Sequence, residues 1–403
     1  MKYIFTHLKG KLFTACMDGD IMIEASFNPI PKLSNDGTVV KNSGLLGNIY
    51  VGKVKNIVKN INAAFVDIGD GQSCFLSLNK AKHPIYITNK KNDVLHIGDE
   101  LLIQLDKEDI KSKRPVGTCN FSLPGRFVVL TYNKPMVAVS GKIKDVKVKQ
   151  HLKELVTPFV TEEYGFILRT NAVEATDEEL TEEINSMIEK YNNIKEYGVT
   201  RSCYSVVYSS LPEYLTLLRD IRIEEDTRII TDLTYLYEEI KAYSKEHNLQ
   251  LESVLELYED ADYPLTALHG LETKLEKALA KKIWLKSGGS LYLQPTEALT
   301  VIDVNTEKAI AGKRKKEETF FKINKEAAIM AARQIRLRNY SGIIIIDFID
   351  MEEEAHQKAV LSILRSEFMK DPVKTVLVDI TKLGLVEVTR KKTRRPLHEQ
   401  YYM

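Results

Sequence analysis

Cysteine is scarce in this sequence: Cys16, Cys74, Cys119 and Cys203 are the only four in 403 residues, and no two form a Cys-x-x-Cys pair. Cysteine therefore supplies no zinc framework and no disulfide scaffold, and the pattern is that of reduced thiols in a cytoplasmic chain. An excess of charge of one sign is missing too, with 57 Lys and Arg against 56 Asp and Glu. That balance neither points to a polyanionic partner nor excludes one, because such binding rests on local patches. No apolar run approaches the roughly eighteen residues that cross a bilayer. The N-terminus, MKYIFTHLKGKLF, lacks the apolar core of a secretory signal. Membrane spanning and secretion are not expected. Internal repeats and low-complexity tracts are absent.

What is present is length and pattern. A chain of 403 residues exceeds one ordinary core, so two or more domains are expected. Residues 1 to about 34 read as strands, with Asp18-Gly19 as a hairpin turn between apolar runs. From about 36 to 127, short β-segments punctuated by Gly and Asp-Gly suggest a small barrel. A mixed stretch follows to about 214; its clearest helix starts at Thr176, where TDEE forms a capping box. Leu180, Ile184, Met187, Ile188 and Tyr191 then recur at helical spacing. From about Pro212 to Ala280 the pattern is mostly helical. Beyond 281, strand and helix alternate: KINKEAAIMAARQIRLRN is a helix striped by Ile323, Ala327, Ala331 and Ile335, and SGIIIIDFID is read as a fully buried strand. That order predicts an α/β layer, in which active groups gather where strands end.

Two of these strands carry acid at their ends. TVIDVNT places Asp303 at the end of one apolar run, with Asn305 two residues on, and IIIIDFID places Asp347 at the end of another. If the strands are neighbours, two carboxylates meet at one sheet edge, and each raises the other's pKa unless a cation lies between them. Oxygen ligands without nearby His or Cys favour Mg²⁺, or Mn²⁺, over zinc. The plainer reading is that each Asp caps a turn or helix. Two basic runs lie in the same segment, Lys313, Arg314, Lys315 and Lys316, then Arg390, Lys391, Lys392, Arg394 and Arg395. Such runs are ordinarily solvated faces, yet beside a carboxylate pair they make a phosphate-rich polymer the better substrate. In the barrel, Phe65 and Phe75 stand among Lys53, Lys55 and Lys59, which is either barrel core or a stacking platform for single-stranded nucleic acid.

NIYVGKVKNIVKNINAAFVDIGDGQSCFLSL, GFILRTNA, SGGSLYLQPTEALTVIDVNT, INKEAAIMAARQIRLRNYSGIIIIDFIDM and LGLVEVTRKKTR together resemble the ribonuclease E/G family of bacterial endoribonucleases, from residue 1 to about 397. The resemblance implies an α+β multidomain chain. A ribonuclease-H-like scaffold would comprise 1–35 and 215–280, with an OB-fold RNA-binding barrel at 36–127 and a 5′-end sensor at 128–214 inserted in it. A DNase-I-like catalytic subdomain would follow at 281–403. It implies Asp303 and Asp347 as magnesium ligands and Asn305 as the residue orienting the scissile phosphate. Phe65, Phe75 and Lys113 would clamp single-stranded RNA. Arg169 and Thr170 would grip a 5′-monophosphate, supported by Gly125 and Val129. Attack by water would leave a 5′-phosphate and a 3′-hydroxyl.

The family's usual continuation, a Cys-Pro-x-Cys zinc link and a small dimerisation domain, has no counterpart before Tyr401-Tyr402-Met403. No structural zinc and no zinc-linked dimer are therefore expected, and the oligomeric state is left open. The KRKKEE run receives no role. The rival function is an RNA-binding protein of the same family with a weak or silent nuclease centre; a small-substrate phosphoesterase would need neither barrel nor basic runs.

Overall fold

The computed structural model describes residues 1–31, 46–88, 90, 94–107, 114–307 and 316–402. It contains two compact units, Met1–Ile30 with Ile223–Met403, and Pro31–Arg222. The chain opens with strands β1 (Lys2–Leu8), β2 (Lys11–Asp18) and β3 (Ile21–Asn28) in an antiparallel meander. The expected hairpin forms: Asp18 pairs with Ile21, and Gly19 takes the left-handed φ of +57° that the turn demands.

The second unit begins with β4 (Ile49–Val58), β5 (Ala63–Gly69), β6 (Gln72–Ser77), β7 (Glu100–Lys107) and β8 (Val116–Thr118). β4 pairs with both β5 and β7, and β8 joins β6 to β7, so five strands close into a barrel. Val54, Ala64, Val66, Cys74, Leu76, Leu101 and Ile103 fill it. Closure is tight at Gly52, where a Cβ would lie 2.6 Å from Val66 and 2.8 Å from Ile103.

Next come β9 (Ser122–Pro124), β10 (Val128–Tyr132), β11 (Val137–Val139), α1 (Val146–Val156), β12 (Tyr164–Leu168), α2 (Asp177–Gly198), β13 (Val206–Tyr208) and α3 (Glu213–Asp220). Their sheet runs β11-β12-β10-β9, while β13 returns to β4. The capping box is present: Thr176 Oγ1 accepts the Glu179 N–H at 3.2 Å, and the Glu179 carboxylate accepts the Thr176 N–H at 2.9 Å. Leu180, Ile184, Met187, Tyr191 and Ile194 of α2 are buried in one core with β10 and β12.

Back in the first unit are β14 (Arg228–Thr231), α4 (Thr234–Glu246), β15 (Leu255–Leu257), α5 (Leu265–Leu268) and α6 (Leu271–Leu279). Two strands thus interrupt a region whose pattern reads as helical. RIIT and LEL are too short to show a period, and they exist because β14 pairs parallel with β1, more than two hundred residues away. Among the described residues the resulting sheet has the order β15-β14-β1-β2-β3.

The remaining elements are β16 (Lys282–Trp284), β17 (Ser290–Pro295), β18 (Leu299–Asn305), α7 (Lys316–Leu337), β19 (Gly342–Asp347), α8 (Glu354–Met369), β20 (Thr375–Ile380), β21 (Val386–Arg390) and α9 (Leu397–Tyr402). Their sheet runs β16-β17-β18-β19-β21-β20. The stripe of Ile323, Ala327, Ala331 and Ile335 on α7, with Leu364 and Phe368 of α8, buries one face of it. The isoleucine strand is not fully buried as expected. Ile344 and Ile346 face that core, whereas Ile343 is 51% exposed and Asp347 is exposed. Among the described residues, helices cover one side of it, and four identical residues in a row hide the alternation that would have shown it.

No helix among the described residues is long and apolar enough to cross a membrane.

Candidate functional site

β18 and β19 run parallel, so their C-terminal ends share one sheet edge, and the register sets Asp303 beside Asp347. Asp303 lies two residues inside its strand, which continues to Asn305, while Asp347 closes β19. The buried Ile302, Val304 and Ile346 point to the helices, and alternation turns both acids to the open face. Asn305 shares that face and donates Nδ2 to Asp303 Oδ2 at 2.7 Å. Partial burial, then the Asp303 and Asp350 carboxylates, push the Asp347 pKa above the usual carboxylate value. Among the described residues, the charges that shift Asp347 are the negative ones of Asp303 and Asp350. Asp350 escaped the sequence reading; it lies past the strand, where no period marks it.

Phe65 and Phe75 face each other across β5 and β6, with ring centroids 6.1 Å apart and an edge-to-face angle of 74°. Their neighbours Ala64, Val66, Cys74 and Leu76 fill the barrel, so both rings stand half-exposed on its outer wall. Neither ring belongs to the buried cluster that fills the barrel. The Arg114 guanidinium lies 5.0 Å above the Phe65 ring and donates to Ser73 Oγ at 2.8 Å. A cavity of about 320 Å³ opens there, lined by Lys55, Asn56, Phe65, Asp67, Ser73 and Arg114. Arg114 was not singled out from sequence, and its neighbour Lys113 lies outside the described residues. Two of the expected flanking cations are partly matched: Lys53 pairs with Glu100 at 3.0 Å and Lys55 with Asp67 at 3.4 Å.

Arg169 follows β12. Its guanidinium donates Nη1 to Gly125 O at 2.5 Å, and grips the Asp220 carboxylate at the end of α3 with Nη1 at 2.7 Å and Nη2 at 2.5 Å. Arg219 donates Nε to the same carboxylate at 2.7 Å. Burial opposes charge on Asp220, and the two guanidiniums overcome it, holding its pKa below the usual range. Thr170 is exposed, with its hydroxyl 3.1 Å from Ser140 Oγ. Val129 sits in the sheet between Ile167 and Pro124. A Cβ at Gly125 would collide with the Glu183 carboxylate, which accepts the N–H groups of Arg126, Phe127 and Val128 at 2.9, 2.7 and 2.9 Å. The structure thus joins Arg169 to Gly125 directly. Asp220 and Glu183 are contributions that sequence reading missed, since each lies about fifty residues from the group it holds.

The basic runs divide. Lys313, Arg314 and Lys315 lie outside the described residues, and Lys316 sits 5.3 Å above the Phe320 ring. Lys391 and Lys392 are exposed, but Arg390 is not part of a solvated face. It is buried against Asp371, with Nε–Oδ2 at 2.7 Å. Among the described residues, Glu317, Glu353 and His356 form the one group of three acid, His or Cys side chains with ligand atoms within 4.8 Å of one another. Glu317 there accepts the Glu352 and Glu353 N–H groups at the start of α8, which is the work of a helix cap.

Residues 122–393 match the ribonuclease E/G family, and residues 46–120 match the S1 RNA binding domain. Ribonuclease G of Salmonella typhimurium (strain SL1344) is 34% identical over 361 residues, spanning 87% of this chain and 73% of its own. Ribonuclease G of Escherichia coli (strain K12) is 34% identical over 364 residues, spanning 88% and 74%. A putative ribonuclease E of Buchnera aphidicola subsp. Baizongia pistaciae is 31% identical over 397 residues, spanning 96% and 94%. The S1 match coincides with the closed barrel and the family match takes in both acidic strands, so this chain belongs to the ribonuclease E/G family of endoribonucleases.

Proposed function

We propose that this RNA-processing endoribonuclease cleaves single-stranded RNA at Asp303 and Asp347 with the help of a divalent cation, and favours 5′-monophosphorylated ends. The register that sets the two acids side by side on an open sheet face carries the reading. A purely RNA-binding member would need no such pair, and the pair costs electrostatic energy to keep.

The donor set fits Mg²⁺, with Mn²⁺ as substitute: two hard carboxylates, each beside further negative charge, and an amide fixing one of them. Asp303 and Asp347 would hold the ion, which when bound would lower the pKa of a water and offset charge developing on the phosphoryl oxygens. Asn305 holds the Asp303 carboxylate in place through its Nδ2 and would also meet the phosphate. Phe65 and Phe75 would present faces to bases, with Arg114 above the Phe65 ring, and Lys113 would add a cation to the clamp. Arg169, with Thr170 and the Gly125 turn, would receive a terminal phosphate, and Val129 would pack behind them. On this reading the sheet of β1–β3 with β14 and β15 is the ribonuclease-H-like scaffold. The sheet of β16–β21 is the DNase-I-like part, and 128–214 is the sensor.

The direct test is incubation with a 5′-monophosphorylated, A/U-rich single-stranded oligomer, with and without Mg²⁺. Cleavage should require the ion and run faster than on the 5′-hydroxyl oligomer; ion-independent or absent cleavage overturns the proposal. Phe65→Ala and Phe75→Ala should each weaken single-strand binding by about 1–3 kcal/mol with the folding midpoint retained. A lowered midpoint at unchanged affinity would mark both rings as packing residues instead. Arg169→Ala should abolish the preference between 5′ ends while sparing the rate on internal sites, because a bidentate phosphate partner is lost. Since Arg169 also neutralises Asp220, Asp220→Asn is the control: it removes the internal anion and should keep the preference. Equal cleavage of both ends by the unmodified chain would refute the sensor.

A further inference from the structure

We propose that the open face of the catalytic sheet carries a base-stacking subsite, formed by Trp284 and Tyr292 clamped on Lys282, which holds a nucleotide of the RNA next to the bond that is cut. The proposal rests on Asp303 and Asp347 being the catalytic acids, and adds residues that neither the barrel nor the 5′ pocket includes.

The strand registers carry it. Lys282 pairs with Tyr292, Tyr292 with Asp303, and Asp303 with Asp347, so four side chains form one row across β16, β17, β18 and β19. In-register residues on adjacent strands project to the same face. Leu291 and Leu293 on either side of Tyr292 are fully buried against the helices, which fixes Tyr292 on the open face. Adjacent strands lie about 4.8 Å apart, so the Tyr292 strand is about 5 Å and the β16 strand about 10 Å from Asp303. Trp284, two residues from Lys282 on the same face, is 56% exposed, and Tyr292 is 37% exposed.

The cluster is held in place. The Lys282 ammonium lies 4.2 Å from the Trp284 ring centroid and 5.8 Å from that of Tyr292. It donates to Glu307 Oε1 at 2.6 Å, and that oxygen also accepts from the buried Ser290 hydroxyl at 3.0 Å. Single exposed aromatics are common and mean little. Two of them locked about one cation, in register with a carboxylate pair, are a prepared surface. Glu307 matches the Lys282 charge, so the cluster offers ring faces rather than a phosphate site. The occupant is an unpaired base, as on other sheets that stack RNA on surface aromatics. Continuity with the acidic row selects a base of the substrate over a second copy of this chain.

Trp284 is the only tryptophan in the sequence, so its fluorescence reports this surface alone. An uncleaved complex of the Asp303→Asn chain with a labelled single-stranded oligomer gives both signals, label anisotropy for binding anywhere and tryptophan emission for stacking here. Emission should change in step with anisotropy. Trp284→Ala and Tyr292→Ala, made in the unmodified chain, should raise KM for cleavage by about 5- to 100-fold. Trp284→Phe, which keeps a ring, should restore most of the loss. An oligomer with one abasic position beside the cut bond should bind the unmodified chain more weakly, and the Trp284→Ala chain no more weakly still. Bound RNA that leaves emission untouched, or Trp284→Ala with unchanged KM on an actively cleaved oligomer, overturns the subsite while leaving the nuclease reading intact. Stacking without any cleavage would instead spare the subsite and overturn the nuclease reading.

Discussion

Asp303→Asn and Asp347→Asn should each slow cleavage by on the order of 10³-fold at saturating RNA, with affinity and fold retained. The substitutions keep the shape, and an asparagine oxygen at 303 still accepts the Asn305 Nδ2 hydrogen bond. What is lost is charge, which a hard divalent cation needs from its ligands. Stability should move the other way for Asp347. Burial and the Asp303 and Asp350 carboxylates raise its pKa, so the folded state disfavours its charged form, and stability falls as pH rises through that raised value. In chelator at neutral pH, Asp347→Asn should therefore melt at or above the unmodified chain. On the proposed reading, the charge that costs stability here is the one the chemistry would use. Single-turnover cleavage and thermal melts on the same preparations check both parts. A variant cleaving at near the unmodified rate in modest Mg²⁺ would remove these acids from the catalytic centre.

The acidic pair was legible because an aspartate interrupts each of two β-branched runs, and a buried strand tolerates charge only at its end or on an open face. Their pairing, left conditional by the sequence, is parallel, as a long helix between two strands of one sheet allows. The half-exposure of Phe65 and Phe75 is also a period-two effect, since Ala64, Val66, Cys74 and Leu76 are the residues that fill the barrel. Arg169 was singled out only through resemblance. Its partners Gly125 and Asp220 lie 44 and 51 residues away, and no local period connects them. The strands β14 and β15 were hidden for the same reason, being defined by distant pairing rather than by their own pattern. The row of Lys282, Tyr292, Asp303 and Asp347 needs three registers at once, which no single window of sequence contains.

Arg390 shows how a composition reading fails where a period would have succeeded. In TRKKTRR it looks like one more exposed cation, but β21 alternates, with Val386, Val388 and Arg390 buried between outward Glu387 and Thr389. Its side chain is 1% exposed and that of Asp371 is 5% exposed. The guanidinium donates Nε and Nη2 to the two Asp371 oxygens at 2.7 and 3.2 Å, and Nη1 to Asn339 Oδ1 at 2.6 Å and Tyr340 O at 3.2 Å. Asp371 also accepts from Val373 N and the Thr375 hydroxyl at 2.9 and 2.8 Å. Arg390→Ala should thus destabilise the unit that contains it by about 3–5 kcal/mol, because a buried carboxylate loses its counter-charge and two acceptors lose their donor. Arg390→Lys keeps the charge but not the fork, so an intermediate loss is expected. Pairing Arg390→Met with Asp371→Leu removes both charges together and should recover part of the loss. Urea unfolding followed in the transition of that unit, with RNA affinity measured per folded molecule, separates structure from binding. A stability change below about 1 kcal/mol, the scale of an exposed ion pair, together with weakened RNA binding, would return Arg390 to the surface role that its neighbours Lys391 and Lys392 retain.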